Sequence, residues 1–274
     1  MEPLLDYQMR YRGVTMGDRT MYELDDIAGL WDMIVKDRDR DNPRSQGTIP
    51  GIHSATFRLI RVNLEVVGEP GSSVLEKAVQ NLMSAMSPDQ HMQPDEIDDR
   101  LYFKFPGEVE KFIYCRPVRR SRPRRNDTEF GLVPVRFELK TYDPRTYSAN
   151  EYESGEKPSD GNTFTIINQG DALAYPRINF GVDTLGGLTL HNDTLGTQFS
   201  VAGLGASTND YWADMGRFVR GRGDLLIVYK DTTNHYNKWQ IPRDAFYLAP
   251  GTNDLRLTIA SNAEVNLFWR DTWM

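Results

Sequence analysis

The sequence predicts a mainly β protein with two domains and a single amphipathic helix. Three observations predict this class. Residues Phe57–Val67 alternate with one strongly apolar face, Ser73–Met86 carry one apolar stripe at helical spacing, and the chain after Thr163 is a series of short apolar runs between turn residues. With 274 residues, of which 39% are hydrophobic, the chain is long enough for two domains that each bury a core.

The first half is predicted to place its helix among strands. Ser72 or Ser73 is expected to cap the helix, which ends at about Met86 because Ser87-Pro88 follows. Pro117 favours an edge position for its strand, since proline has no N–H to donate to a neighbour. The predicted strands are Leu4–Tyr11, Thr20–Leu24, Ile27–Val35 (which also fits a buried helix), Phe57–Val67, Arg100–Phe105, Lys111–Val118 and Phe130–Tyr142.

Between two of these strands, the segment Lys36–Gly51 is dense in charge, glycine and proline, which predicts a long exposed loop. Asp37, Asp39 and Asp41 have the alternating spacing of the first ligands in an EF-hand calcium loop. The motif then fails, because Asn42 occupies the glycine position and Thr48 the position of the bidentate glutamate. The pattern therefore favours a solvated charged loop, and we predict no metal site.

A basic loop follows the strand that contains Pro117. A phosphate-binding patch, a contact with an acidic protein neighbour and a solvated hairpin tip all fit such a loop. Nucleic-acid binding is not expected, because the cluster lacks interleaved aromatic residues and the chain has a net charge of −7. The five arginines are Arg119, Arg120, Arg122, Arg124 and Arg125.

The second half is predicted to be an all-β sandwich, preceded by a linker over residues 144–161 that is rich in turn and charged residues. Trp212, Tyr236 and Trp239 fit two interpretations: a platform that stacks on sugar rings, or buried aromatic residues of the sandwich. The predicted strands begin with the two parts of Thr163–Phe180 and continue with Leu188–His191, Thr197–Ala202, Asp224–Tyr229, Lys238–Pro242, Asp254–Ala260 and Glu264–Trp269.

No catalytic constellation is present in the sequence. The four histidines form no HExxH motif, and neither CxxC nor GxSxG occurs, so we predict no catalytic residue, cofactor or metal. The lone Cys115 excludes an internal disulfide, fits a chain folded in a reducing cytosol and is expected to be a small core residue. No apolar run approaches the roughly 20 residues of a membrane helix, and the start MEPLLDYQMR has no secretory pattern, so neither membrane insertion nor a signal peptide is expected.

Several motifs in their order along the chain give a more specific prediction. In the second half these are FTIINQGDALAYPRINF, GLTLHN, DLLIVYKD, FYLAPGTNDLRLTI and VNLFWRDTW. The first half adds RVNLEVVG, the helix, RLYFKFPG and FIYCRP. Taken together they resemble the distal tail proteins of siphophages, which are ring-forming hub proteins between the tail tube and the tail tip. The resemblance covers nearly the whole chain, although the arginine cluster has no counterpart in it.

The resemblance implies an N-terminal ring-forming β-domain over residues 1–143 and a C-terminal galectin-like β-sandwich over residues 162–274. It implies a structural protein rather than an enzyme, which forms a hexameric ring at the distal end of the virion tail after synthesis in the host cytoplasm. The tail tube, tape-measure and tail-tip proteins are the implied partners, and the two charged loops would face a neighbouring ring or the lumen. The alternative hypothesis is a lectin-like module that binds host glycan through Trp212, Tyr236 and Trp239.

Overall fold

The chain folds into two compact units, Met1–Thr146 and Tyr147–Met274. The fold is mainly β, as predicted, and the described residues contain one α-helix. The structure is a computed structural model, which describes residues 2–32, 34–36, 40–41, 48–49, 54–87, 100–121, 123, 127–155, 157–158, 161, 163–182, 186–205, 207–215, 228–231, 233–240, 245–259 and 263–274.

Unit 1 is built on an antiparallel sheet in which strands pair in the order β2-β1-β9-β10-β11-β8-β3. Strands β2 and β3 also contact each other, so the sheet curls. The elements are β1 (Gln8–Tyr11), β2 (Val14–Gly17), β3 (Tyr22–Ala28), β4 (Ile34–Lys36), β5 (Arg40–Asp41), β6 (Thr48–Ile49), β7 (Ser54–Phe57), β8 (Leu59–Val67), α1 (Ser73–Ala85), β9 (Arg100–Lys104), β10 (Lys111–Arg120), a short 3-10 helix (Asp127–Phe130) and β11 (Leu132–Ser148).

The core of unit 1 lies between the sheet and α1, because both elements have one apolar face. Leu75 and Leu82 of the helix are fully buried, as are the alternate residues of β8 and β11. The Ser72 side chain accepts a hydrogen bond from the Leu75 backbone N–H at 3.2 Å, which confirms the predicted cap. Cys115 is buried in this core, as expected for a small apolar residue.

Two arginines, one from the turn between β1 and β2 and one from the end of β10, hold the other end of α1. The helix has no basic residue in its own last turn, where the backbone carbonyls have no helical partners. The Arg12 guanidinium donates to the carbonyls of Ala85 at 2.7 Å and Ser87 at 3.2 Å, and that of Arg120 donates to the carbonyl of Met83. The end of β10 is thereby fixed against the helix.

Two predictions about unit 1 are wrong. The described parts of Lys36–Gly51 are not a structureless loop, since β4 pairs with β7 and β5 pairs with β6. Their charge and proline content hid the pairing because these strands have no apolar alternation. Strand β10 is not an edge strand, because it lies between β9 and β11. Among the described residues, its pairing with β9 ends at Tyr114, which places Pro117 beyond that ladder.

Unit 2 is a sandwich of two antiparallel sheets, as predicted. One has the order β12-β22-β15-β18-β19-β20, with β13 also paired to β22, and the other has the order β14-β21-β16-β17. The elements are β12 (Tyr152–Glu153), β13 (Lys157–Pro158), β14 (Thr163–Asn168), β15 (Arg177–Val182), β16 (Gly186–Asn192), β17 (Thr197–Leu204), β18 (Ser207–Asp214), β19 (Val228–Lys230), β20 (Thr233–Asn234), a short 3-10 helix (Tyr236–Lys238), β21 (Gly251–Ile259), β22 (Ala263–Trp269) and β23 (Thr272–Trp273).

The structure differs from the sequence-based assignment of unit 2 in three places. β12 and β13 fall within the stretch predicted as a linker, where both pair with β22. β18 was not predicted, although it pairs with β15 and β19. In place of the predicted strand Lys238–Pro242, the chain forms the short 3-10 helix and a single bridge between Trp239 and Val201. The precise domain limits stay a prediction.

Candidate interface surfaces

The structure describes only part of the two charged loops that the sequence singles out. Asp37, Asp39, Arg122, Arg124 and Arg125 lie outside the described residues. Asp41 is in β5, opposite Thr48 of β6. Arg119 and Arg120 are the last two residues of β10.

Arg119, Arg120 and Arg136 line a depression of about 350 Å³ in unit 1 together with Glu138, and we call this depression the basic surface. Strand β11 brings Arg136 to this depression, because the Arg136 carbonyl accepts a hydrogen bond from the Ser121 N–H at 2.7 Å. Both Arg119 and Arg136 are exposed. Arg136 was not predicted as part of the cluster, since only the pairing of β10 with β11 brings it there.

A second depression in unit 1, of about 370 Å³, has aromatic walls. Trp31 packs edge-on against Phe103, with ring centroids 6.1 Å apart, and lies 5.8 Å from the ring of Phe105. Trp31 is nevertheless 55% exposed, and Tyr7 on the same depression is 57% exposed. Two large aromatic side chains are thus partly in water beside an apolar floor, which is typical of a contact surface.

Three exposed carboxylates, Asp18, Asp25 and Asp26, also line this depression, which we call the acidic cleft. Lys104 lines it too, with its ammonium group 3.1 Å from the Asp6 carboxylate. A β-bulge brings two of the three carboxylates to the surface together. Leu24 is opposite Leu64 and Asp26 is opposite Asn63, so Asp25 is an extra residue in β3. Without the bulge, Asp25 and Asp26 would point to opposite faces of the sheet.

The backbone on the other side of the acidic cleft is also irregular. Tyr7 has φ 61°, in the left-handed region that a tyrosine seldom adopts. Gly17, with φ +107°, lies directly against it, and a Cβ added to Gly17 would be 2.1 Å from the Tyr7 carbonyl oxygen. Glycine is therefore required at this turn, and the Tyr7 side chain is held at the surface. Such irregularities concentrate at functional sites.

The three aromatic residues of the lectin-like hypothesis do not form a sugar platform. Trp239 is 1% exposed and belongs to the core of unit 2, which corrects its assignment as a surface contact. Tyr236 packs edge-on against Trp239, with ring centroids 5.7 Å apart. Trp212 is half-buried, with Phe268 5.5 Å from its ring and the Arg177 guanidinium 5.4 Å over it. The alternative of buried sandwich aromatics accounts better for this arrangement.

An ion pair between Asp193 and Arg256 lies beside His191 on the sheet that contains β16 and β21. The Arg256 guanidinium donates to both Asp193 carboxylate oxygens at 3.0 Å, and this bond holds the pKa of Asp193 below its ordinary value. Burial lowers the pKa of His191, the positive charge of Arg256 lowers it further, and Asp193 acts in the opposite direction. His191 therefore resists protonation in the folded state.

This lowered pKa predicts a pH dependence of stability. Below the ordinary histidine pKa of 6.5, the unfolded chain binds a proton at His191 that the folded chain does not. We expect the free energy of unfolding of unit 2 to fall between pH 7.5 and 5.5, and to fall less in His191→Gln. Urea titrations at several pH values measure this. Gln198→Ala is the control, because it alters the cross-strand neighbour of His191 without changing a charge, and it should keep the wild-type pH dependence. If the free energy of unfolding of His191→Gln fell with pH as steeply as that of the wild type, the prediction would be contradicted.

Metal sites and membrane-spanning helices are absent from the part of the chain that the structure describes. In it, no group of three or more histidine, cysteine or acidic side chains is arranged to hold a metal ion. None of its helices has the length and apolar character that crossing a bilayer requires.

Comparison with known proteins finds similarity at the level of structure. No family model matches the sequence, and no curated protein matches it significantly. The fold matches the crystal structure of the Dit protein (gp19.1) of phage SPP1, which is described as a paradigm of the hub adsorption apparatus in phages that infect Gram-positive bacteria. The TM-score is 0.64 at 15% sequence identity, and the match covers 97% of this chain and 99% of that one.

A chain of the phage P2 baseplate, in its activated conformation with Ca, matches with a TM-score of 0.48 at 9% identity, over 95% of this chain and 97% of that one. The match to the SPP1 protein runs through both units. It confirms the fold that the resemblance predicted, and at this identity the likeness concerns the fold alone.

Proposed function

We propose that this chain is a structural hub protein of a phage tail. On this proposal it forms a ring between the tail tube and the tail tip, at the distal end of the virion, and takes part in tail assembly and host attachment without an enzymatic role. The observation that carries the proposal is the fold shared with the SPP1 hub protein over 97% of the chain. A match through both units supports a role for the whole chain rather than for one module.

The physical features of unit 1 support a role in assembly. A closed ring of identical subunits needs two different, complementary surfaces on each subunit. Unit 1 has exposed arginines on the basic surface and exposed aromatic rings and carboxylates in the acidic cleft, which are side chains suited to contacts with neighbouring proteins. The arrangement we propose is a hexameric ring with the tube protein above it, the tape-measure protein within it and the tip proteins below it.

Electron microscopy of the purified full-length protein tests this function. We expect annular particles whose class averages have sixfold symmetry, and a matching mass by light scattering. Because some tail proteins assemble only on a partner, the sample is also prepared with the tail tube protein of the same phage. A protein that stays monomeric at high concentration in both samples would overturn the proposal.

A further inference from the structure

We infer that the acidic cleft of unit 1 is a docking site for an arginine-bearing segment of a different protein chain. The choice of a different chain rests on the proposed ring, whereas the arginine chemistry of the cleft does not. The site assigns a chemistry to one partner of the chain, which the shared fold alone does not supply.

The aromatic walls of the cleft are partly exposed although their rings are held in place. Phe103 is buried, and its ring centroid is 5.8 Å from that of Phe105, so the two rings form a packed floor. Trp31 packs on both of them, yet it is 55% exposed, and Tyr7 on the same depression is 57% exposed. Rigid aromatic side chains that are already in place lose little entropy when a partner covers them, which favours binding at this surface.

The carboxylates of the cleft select the partner side chain. The bulge in β3 presents Asp25 and Asp26 on the cleft, and in the part of the chain that the structure describes neither of them forms an ion pair. A guanidinium group is planar, stacks on aromatic faces and donates to a carboxylate through two N–H groups at once. An ammonium group has neither the flat face nor the paired donors. Carboxylates beside exposed rings therefore fit arginine better than lysine.

The positive groups near the cleft do not neutralise it. Lys104 lines the cleft, but its ammonium group is 3.1 Å from the Asp6 carboxylate. Arg136 and Asp26 are both opposite Asn63 of β8, so they lie two strand spacings apart on one face of the sheet, roughly 10 Å. This separation is about one Debye length at physiological salt, so Arg136 weakens the field at Asp26 without pairing with it. The cleft keeps a net negative charge, which a cationic side chain complements.

The same adjacency indicates where the arginine comes from. Because the basic surface and the acidic cleft adjoin on one face of the sheet, pairing them between two copies would be a reciprocal, face-to-face contact. Such a contact is satisfied in a dimer, whereas a ring requires head-to-tail contacts between two different surfaces. In the proposed ring, the basic surface of a neighbouring copy is therefore not the source, and we assign the arginine to a different protein.

Fluorescence anisotropy with a labelled peptide tests the site. The probe has an arginine-leucine-arginine unit flanked by glycine and serine, and the full-length protein is titrated into it at low salt. We expect the double variant Asp25→Asn with Asp26→Asn to raise the dissociation constant on the order of 10-fold, because two exposed ion pairs are lost. Trp31→Ala should raise it about five-fold, because the guanidinium then has no indole to stack on. Lysine in place of arginine in the probe should weaken binding by about as much.

A matched control separates the cleft from the charge of the whole chain. Glu76→Gln with Glu129→Gln removes the same charge at two exposed positions outside the cleft, in α1 and in the short 3-10 helix, and should bind the probe as the wild type does. Trp31 also gives a local signal, since it is the one tryptophan of unit 1. We expect the probe to change the tryptophan fluorescence of the wild type and not that of Trp31→Phe. All these positions are exposed, so circular dichroism and thermal unfolding should show folded variants.

Each other outcome has a separate meaning. If the wild type binds the arginine probe no better than the double variant Asp25→Asn with Asp26→Asn, the cleft is not the site, and the proposed function still depends on electron microscopy alone. If the lysine probe binds as tightly as the arginine probe, the selection of arginine is wrong. If light scattering shows wild-type dimers instead of rings, and the double variant is monomeric, a second copy fills the cleft. That result overturns both the ring and the assignment to a different chain.

Discussion

Gly170→Ala is expected to destabilise unit 2 by about 3 kcal/mol, at the upper end of the cost of overpacking a tight contact. A Cβ at this position would be 1.9 Å from the Thr272 carbonyl oxygen and 2.5 Å from its nitrogen, so the backbone itself must move. The close approach is what joins the Asn168–Asp171 turn to the C-terminal strand. The Ala172 N–H donates to the Thr272 carbonyl at 2.9 Å, and the Gln169 N–H donates to the Asp271 carboxylate at 2.8 Å.

Urea unfolding followed by tryptophan fluorescence measures this loss, because four of the five tryptophans, Trp212, Trp239, Trp269 and Trp273, are in unit 2. Gly205→Ala is the matched control. Gly205 belongs to the same unit, and the nearest atom to an added Cβ is the Tyr211 hydroxyl at 3.7 Å, an ordinary contact. A Gly170→Ala variant as stable as Gly205→Ala would show that the turn can separate from Thr272 at little cost.

The Asn168–Asp171 turn also shows why some features could not be read from the sequence. Its polar residues and glycine predict a turn between strands, and a turn is present. The need for glycine arises from Thr272, about a hundred residues later, and no local pattern contains that information. The same holds for Asn168, which is fully buried and donates to the Ala172 carbonyl at 2.8 Å.

The two surfaces of unit 1 differ in how far the sequence predicts them. The arginine cluster is visible in the sequence as a run of basic residues. Arg136 joins it only through the register of the strands, which the sequence does not show. The acidic cleft was missed, because Ile27–Val35 looked like one apolar segment when in fact β3 ends at Ala28 and Trp31 is exposed. Periodicity identified the long alternating strands and the helix, because the apolar face of each is visible within a short stretch of sequence. It did not identify surfaces made by a bulge and by residues distant in the chain.

Two irregular features of the backbone occur together in unit 1. A β-bulge and a tyrosine in the left-handed region each cost stability, and both lie on the acidic cleft. Neither packs the core of unit 1, since Asp25, Asp26 and Tyr7 are exposed. Their cost is offset if the side chains that they present bind a partner.

Trp239→Ala is expected to destabilise unit 2 by about 4 kcal/mol, a cost typical of removing a large aromatic residue from a core. Trp239 is 1% exposed, and its ring centroid is 5.9 Å from that of Phe199 and 5.7 Å from that of Tyr236. Truncation to alanine leaves a cavity between the two sheets. The cavity cannot collapse, because the bridge to Val201 and the hydrogen bond from the Gln240 N–H to the Ser200 carbonyl hold the backbone in place. The fluorescence change on unfolding is followed as for Gly170→Ala.

Trp212→Ala provides the matched comparison, because Trp212 is half-buried on the outer side of its sheet. We expect it to cost about half as much as Trp239→Ala, since less surface returns to water and the cavity opens to solvent. The pair also distinguishes a core residue from a sugar contact. If Trp239→Ala kept wild-type stability and lost binding on a glycan array, Trp239 would have to be accessible to a ligand. A large loss of stability in Trp239→Ala means instead that any loss of binding in that variant reports unfolding, so of these two variants Trp212→Ala is the one that tests glycan recognition by this unit.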